Sequence, residues 1–190
     1  MSPRAMRLSL PGCMELQPPV HGDTRGRLVK PFNRDWFAEL GLATVFAEDF
    51  YSVSAKGVLR GLHLQLPPMA QDKLVYCTQG RIWDVLLDLR RGSPAFEQHA
   101  SLELTAERAN LSYIPVGVAH GFCVLSETAC VHYKVTSVHA PGRDAGVRWD
   151  SAGIDWPVSD PIISSRDQDL PVLADFLSPF RFDGGAEADV

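Results

Sequence analysis

The chain has 190 residues, of which 45% are hydrophobic and 22% charged, and its formal net charge is −5. This length and balance are typical of one globular domain with a substantial buried core. The negative net charge argues against a surface that attracts nucleic acid or anionic lipid, and no apolar run is long enough to span a bilayer. We therefore expect neither nucleic acid nor a membrane among its partners.

The first predicted element is a short helix at 33–41, NRDWFAELG, with Asn33 as its N-cap and Gly41 at its end. A second, weaker helix signal lies at 170–177. The gaps between the apolar runs of the chain are too short for the helices of a βαβ fold. This favours an all-β sandwich or barrel with short peripheral helices. The apolar runs that predict its strands are 44–53, 56–65, 72–80, 81–89, 99–105, 110–116, 120–126 and 129–135.

Strand parity assigns faces to several polar residues. In the run 129–135, Tyr133 shares a face with alanine and valine, so we expect it to point inward. In GVLRGLHLQ (57–65), strict alternation places Arg60 and His63 on opposite faces. Gly61 lies between them, where a bulge or a local twist would bring both to one side.

The cysteines predict a reducing environment. Cys13, Cys77, Cys123 and Cys130 form no CxxC pair, and three of them lie in apolar runs, where buried thiols are common. The first ten residues lack the apolar segment of a signal peptide. We therefore expect free thiols and a cytoplasmic protein. We also expect one domain over residues 1–180 and a flexible C-terminal tail over 181–190.

Two stretches resemble halves of a cupin metal site. Residues 115–120, PVGVAH, fit the pattern P-x-G-x-x-H, but the other half offers only His63, with Lys73 near the position of the expected glutamate. Two histidines are too few for a catalytic metal, so we expect no metal. These residues instead suit the removal of a proton from a carbon beside a carbonyl. A histidine would act as the base, a lysine would stabilise the enolate oxygen, and a tyrosine would return a proton. Arg60 offers a planar fork to a phosphate.

The chain as a whole resembles one family. Its motifs include HGDTRG (21–26), KGVLRGLHLQ (56–65), AQDKLV (70–75), DVLLDLRRGSPAF (84–96), IPVGVAHGF (114–122), HYK (132–134), GIDWP (153–157) and SSRD (164–167). In this order they resemble the dTDP-4-dehydrorhamnose 3,5-epimerase family of cupin-type nucleotide-sugar epimerases. The resemblance implies a double-stranded β-helix, or jelly roll, that acts as a homodimer without a cofactor. It also implies inversion of C3, C5 or both in a nucleotide-linked 4-keto-6-deoxy sugar.

The resemblance also implies a role for individual residues. His63 is the general base, Asp167 orients it, Lys73 stabilises the enolate and Tyr133 is the acid. The implied substrate-binding residues are Arg60, His120, Arg25, Lys30, Glu48, Gln65, His139, Asp144 and Arg166. Of these, Arg25 would reach the nucleotide from the neighbouring subunit.

The chain departs from the usual family pattern in the region that binds substrate. Lys30 stands where glutamate is usual, and the usual Gln-x-Asn reads Glu48-Asp49-Phe50. His139, Arg166 and Asp144 replace a tyrosine, a lysine and a glutamate. Three alternatives therefore stay open: a single-centre epimerase of a GDP or CDP sugar, a non-catalytic sugar-nucleotide-binding cupin, and a metal-dependent cupin enzyme.

Overall fold

The computed structural model describes residues 2–184. Within them the strands are β1 Arg4–Arg7, β2 Met14–Gln17, β3 Val20–Asp23, β4 Gly26–Val29, β5 Glu48–Ala55, β6 Leu59–Gln65, β7 Lys73–Gln79, β8 Arg81–Asp88, β9 His99–Thr105, β10 Leu111–Ile114, β11 Val118–Val124, β12 Thr128–Val135 and β13 Asp144–Gly146. The helices are α1 Arg34–Glu39 and α2 Ser165–Gln168, with 3-10 turns at Pro141–Arg143 and Leu173–Asp175.

Two antiparallel sheets form the body of the domain. One has the order β1-β2-β10-β7-β12-β5 and the other β13-β6-β11-β8-β9, while β3 and β4 form a separate hairpin. The main core lies between the sheets, because buried residues of the first, such as Val75 and Val131, pack with Ile82 and Phe122 of the second. The predicted all-β class is confirmed.

Each of the predicted strand runs overlaps an observed strand, from β5 to β12. No apolar run predicted β1 to β4 or β13. These strands are only three or four residues long. The β3–β4 hairpin is largely exposed, so it lacks the apolar alternation by which a strand is recognised.

The first predicted helix is confirmed. The Asn33 side chain accepts hydrogen bonds from the backbone N–H groups of Asp35 and Trp36, and Gly41 follows the helix with a φ of +67°. Phe37 packs under the outer face of the first sheet, and burial of such a ring stabilises the fold by about 1.5–3 kcal/mol. The helix expected at 170–177 is wrong, because only a 3-10 turn forms there, between Pro171 and Pro179.

A bulge in β6 resolves the parity problem of Arg60 and His63. The β6–β11 register shifts between His120, which pairs with His63, and Phe122, which pairs with Arg60. Gly61 lies in the shift with a φ of +127°, and a Cβ there would lie 2.5 Å from the Cα of Gly121. Only glycine fits such a backbone. The extra residue turns both side chains toward one cavity, as expected.

Some predictions concern the whole chain. All four cysteines are free thiols, as expected. Residues 2–184 contain no helix long and apolar enough to cross a membrane. The backbone N–H of Phe182 donates to the carbonyl of Arg91, so paired structure continues past residue 180. Residues 185–190 lie outside the described part of the chain, and the tail therefore stays a prediction.

Candidate active site

A cavity of about 280 Å³ opens between the two sheets. Its walls come from β5, β7 and β12 of one sheet and from β6 and β11 of the other. The predicted residues that line it are Arg60, His63, Gln65, Lys73, His120, Tyr133, His139, Asp144 and Arg166. An adjoining cavity of about 250 Å³ is lined by Glu48 and shares Phe50 and His139 with the first.

His63 and Asp167 form a hydrogen-bonded pair at this cavity. Nε2 of His63 lies 2.7 Å from Oδ1 of Asp167, while Oδ2 of Asp167 accepts from the backbone N–H of Gly61 at 3.1 Å. Burial alone would raise the pKa of the Asp167 carboxyl, but these hydrogen bonds and the charge of Arg166 together lower it. Asp167 is therefore an anion that accepts from the ring.

The pair decides which nitrogen of His63 is able to accept a proton. A carboxylate can only accept, so Nε2 of His63 carries the proton and Nδ1 carries the lone pair. The side chain is one-quarter exposed, while that of Asp167 is almost fully buried. The imidazole thus presents an unprotonated nitrogen, held in orientation by a buried carboxylate, beside a cavity.

Lys73 is a buried cation at the same cavity. Its Nζ donates to the carbonyl oxygen of His63 at 2.8 Å, and its residue is only 7% exposed. Burial lowers the pKa of the Lys73 amine to about 8, with Asp144 and Asp84 opposing the shift and Arg166 adding to it. An oxygen that gains negative charge here would meet an ammonium in a poorly solvated place, where a charge pair is strong.

Tyr133 enters the cavity from the sheet opposite His63. It shares the inward face of β12 with valine and alanine, as the strand parity predicts. Burial and the nearby Asp84 carboxylate raise the pKa of the phenol. The hydroxyl therefore stays protonated at neutral pH, which is the state that a proton donor requires.

His120 forms a second histidine–carboxylate pair. Its Nε2 lies 2.7 Å from Oδ1 of Asp84, and both residues are buried. Asp84 shares the inward face of β8 with Ile82 and Leu86, and the β8–β11 register places His120 opposite Leu86, so Asp84 lies one inward position along β8 from the strand partner of His120. At the end of the same strand, Asp88 instead accepts two hydrogen bonds from the side chain of Arg90.

Two arginines supply positive charge at the cavity wall. Nε of Arg60 donates to Oγ of Ser54 at 3.0 Å, which fixes the guanidinium against β5. Nη2 of Arg166 donates to Asp144 at 2.5 Å across the mouth. Guanidinium groups suit phosphate oxygens, so this wall can bind a diphosphate.

Gln65 organises the loop that follows β12. Its amide nitrogen donates to the carbonyl oxygens of Met69 and Val138, and its oxygen accepts from the backbone N–H of Ala140. Its predicted role in substrate binding is thus accompanied by a structural one. Glu48 also holds this loop, since it accepts from the backbone N–H of His139 at 2.6 Å.

Arg25 and Lys30 do not line the cavity of their own chain. Arg25 pairs with Asp23 in the exposed β3–β4 hairpin. The amine of Lys30 lies 5.7 Å from the centre of the Trp36 ring, on α1.

Other residues at the cavity were not among the predicted site residues. Phe50 and Ser52 share the inward face of β5 with Glu48, and Gln71 precedes Lys73 by two positions. The parity of β5 would have located the first two. In residues 2–184, no group of three or more His, Cys, Asp or Glu side chains could hold a metal ion.

Comparisons with known proteins agree with this architecture. A family model described as dTDP-4-dehydrorhamnose 3,5-epimerase matches residues 7–175. A dTDP-4-dehydrorhamnose 3,5-epimerase of Pseudomonas aeruginosa is 43% identical over 176 residues, which cover 90% of this chain and 97% of the relative.

Two solved structures are also similar. A dTDP-6-deoxy-D-glucose-3,5-epimerase of Legionella pneumophila, in complex with dTDP-4-keto-L-rhamnose, has a TM-score of 0.90 and 33% identity, and covers 95% of this chain and 98% of its own. A 3′-monoepimerase of Streptomyces bikiniensis, in complex with dTDP-quinovose, has a TM-score of 0.83 and 34% identity. The match covers 92% of this chain and 88% of that protein's chain. The expected cupin-type fold and an isomerase acting on carbohydrates are confirmed. The chain belongs to the dTDP-4-dehydrorhamnose 3,5-epimerase family.

Proposed function

We propose that the chain inverts C3 and C5 of dTDP-4-dehydro-6-deoxyglucose, or of a closely similar dTDP-linked 4-keto sugar. The observation that carries the proposal is the position of two side chains. His63 projects from one sheet and Tyr133 from the other into a single cavity. A base and an acid on facing walls meet a bound sugar from opposite faces, which is the geometry that inversion requires.

The reaction begins with loss of a proton beside the ketone. Nδ1 of His63 takes the proton from the carbon next to C4, and the C–H electron pair moves into an enolate. Asp167 stabilises the imidazolium that forms, since it already accepts from Nε2. The enolate oxygen gains its negative charge beside the ammonium of Lys73, which stabilises that charge electrostatically.

Tyr133 completes the inversion. Its O–H bond breaks as a new C–H bond forms on the face opposite His63, and the phenolate left behind regains a proton from water. The imidazolium of His63 releases its proton to water, so the enzyme returns to its starting state. Repetition at the second carbon beside C4 gives the doubly inverted sugar, without any redox step.

The diphosphate and the nucleoside of the substrate extend away from the sugar. We infer that Arg60 and Arg166 bind the diphosphate, since both guanidinium groups lie at the cavity wall. His120, Asp144 and Gln65 line the same cavity, and His139 and Glu48 line the adjoining one. The family relatives named for dTDP sugars support thymidine as the nucleoside.

We further propose a homodimer in which the β3–β4 hairpin reaches the neighbouring cavity. The hairpin is exposed, and Arg25 lies away from the cavity of its own chain. In that arrangement Arg25 and Lys30 contact the nucleotide end of the neighbouring site. The free thiols support a reducing compartment, the cytoplasm.

A second candidate is a single-centre epimerase. The similarity to a 3′-monoepimerase favours it, because that protein shares the fold at comparable identity. The test is incubation of the purified protein with dTDP-4-dehydro-6-deoxyglucose and with the GDP- and CDP-linked sugars, followed by NMR of C3 and C5. Inversion of both centres in the dTDP sugar supports the first proposal. Inversion of one centre supports the second, and no change in any sugar overturns both.

A further inference from the structure

Phe50 lies directly opposite Tyr133 on the neighbouring strand. The β5–β12 register pairs these two residues, and both side chains point to the cavity. Their rings are nearly parallel, with centroids 4.7 Å apart and an interplanar angle of 9°. Stacked aromatic pairs of this kind interact more strongly than the burial of their area alone provides.

The stack closes one side of the phenol. Tyr133 is only 9% exposed, whereas Phe50 is 42% exposed at the boundary between the two cavities. On another side the ring of His120 meets Tyr133 edge-to-face, with centroids 5.8 Å apart. The tyrosine ring therefore lies between His120, which is buried, and Phe50, which is exposed. His120 is itself held in place by its hydrogen bond to Asp84.

We propose that Phe50 is a positioning residue that holds the Tyr133 hydroxyl over the cavity, so that reprotonation occurs on the face opposite His63. The inference rests on the proposed function. Phe50 need not touch the reacting carbon, because it acts through the ring of Tyr133. A tyrosine hydroxyl lies at the far end of its ring, so a small rotation of an unsupported ring displaces the proton from the enolate carbon.

The consequence is a choice between two fates of the enolate. When Tyr133 delivers the proton, its O–H bond breaks, the inverted C–H bond forms, and the phenolate takes a proton from water. When Tyr133 is misplaced, the imidazolium of His63 returns a proton to the original face. In D₂O the ring proton exchanges with solvent, so this return leaves deuterium in a sugar of unchanged configuration.

The test compares Phe50→Ala, Phe50→Leu and Phe50→Tyr with wild-type enzyme in D₂O. NMR gives two quantities: deuterium incorporation into recovered substrate, and formation of inverted product. We expect Phe50→Ala and Phe50→Leu to raise the ratio of incorporation to inversion by about tenfold, since the stacking that holds the ring is lost. Phe50→Tyr keeps an aromatic ring, so its ratio should return close to the wild-type value.

Tyr51→Ala is the matched control, because it removes an aromatic ring from the same strand on the face away from the cavity. Its ratio should equal that of wild type. If Phe50→Ala does not fold, Phe50→Leu alone decides the matter. An unchanged ratio, a parallel fall of both quantities, or an effect on KM alone overturns the proposal. Failure of wild-type enzyme to exchange any sugar instead overturns the proposed function, so the two failures are distinguishable.

Discussion

Asp167 connects the His63 ring to the bulge that turns it inward. One carboxylate oxygen lies 2.7 Å from Nε2 of His63, and the other accepts from the backbone N–H of Gly61 at 3.1 Å. The residue that allows β6 to bulge is thus hydrogen-bonded to the same carboxylate as the ring that the bulge turns inward. Asp167 comes from α2, which Ser164 caps by accepting from the Asp167 N–H.

Replacement of that carboxylate tests its role in orienting the base. In Asp167→Asn the side-chain amide can donate to Nε2, which favours the tautomer that carries its proton on Nδ1 and removes the base from the cavity. We expect kcat to fall by about 10²–10⁴-fold with little change in KM, in steady-state assays. The exposed Asp169, two residues on, gives a control as Asp169→Asn. A mutant with wild-type kcat would show that Asp167 does not orient the base.

Removal of the acid should separate exchange from inversion. Tyr133→Phe keeps the ring and its stack on Phe50 but loses the O–H group. We expect deuterium to enter the substrate from D₂O while the inverted product falls by about 10²–10⁴-fold, because His63 still removes and returns protons. NMR of the recovered sugar measures both. Full inversion by this mutant would assign the acid to another group.

The pH dependence should report Lys73. Because the pKa of its amine is lowered to about 8, the side chain is charged below that pH and neutral above it. The enolate is stabilised only by the charged form, so we expect kcat/KM to fall as the pH rises through about 8. The parameter kcat/KM is the appropriate one, since it reports groups of the free enzyme.

Substitution of Lys73 identifies the source of that alkaline limb. Lys73→Arg keeps a charge at every accessible pH, so the limb should disappear even where the rate is lower. Lys73→Met should be slow throughout and should also lack the limb. An unchanged limb in either mutant would show that a different group titrates.

Complementation tests whether two chains share a site. We expect Arg25→Ala to raise KM and His63→Ala to abolish turnover. A heterodimer of the two, isolated with two affinity tags, should regain about half of the wild-type activity. One of its two sites then combines an intact His63 with Arg25 of the partner subunit.

The matched control for complementation pairs His63→Ala with Tyr133→Phe. Both residues line the cavity of their own chain, so each site of this heterodimer keeps one defect and no activity should return. If the Arg25 heterodimer instead keeps the raised KM of Arg25→Ala, Arg25 acts on the cavity of its own chain.

The fold class could be predicted well because most strands coincide with apolar runs in the sequence. Apolar runs of sufficient length marked β5 to β12, and the parity of β12 correctly turned Tyr133 inward. The exposed hairpin β3–β4 carries no such pattern. The four-residue helix α2 is too short for periodicity to reveal, so the backbone that delivers Asp167 was not predicted.

The site was predictable in part. The set of chemistry-bearing residues came from the motifs, but their pairing depends on the meeting of distant strands. The bond between Asp84 and His120 joins residues 36 positions apart, and the bond between His63 and Asp167 joins residues 104 apart. The stack of Phe50 on Tyr133 likewise follows from the β5–β12 register, which sequence alone does not give.

The most direct test of the account is the incorporation of deuterium from D₂O into dTDP-4-dehydro-6-deoxyglucose by wild-type enzyme and by His63→Ala, followed by NMR. The account predicts incorporation at the inverted centres with wild type and a loss of at least about 100-fold in the mutant, while the mutant still binds the substrate in calorimetry. Incorporation by His63→Ala at a rate close to that of wild type would contradict the assignment of the base.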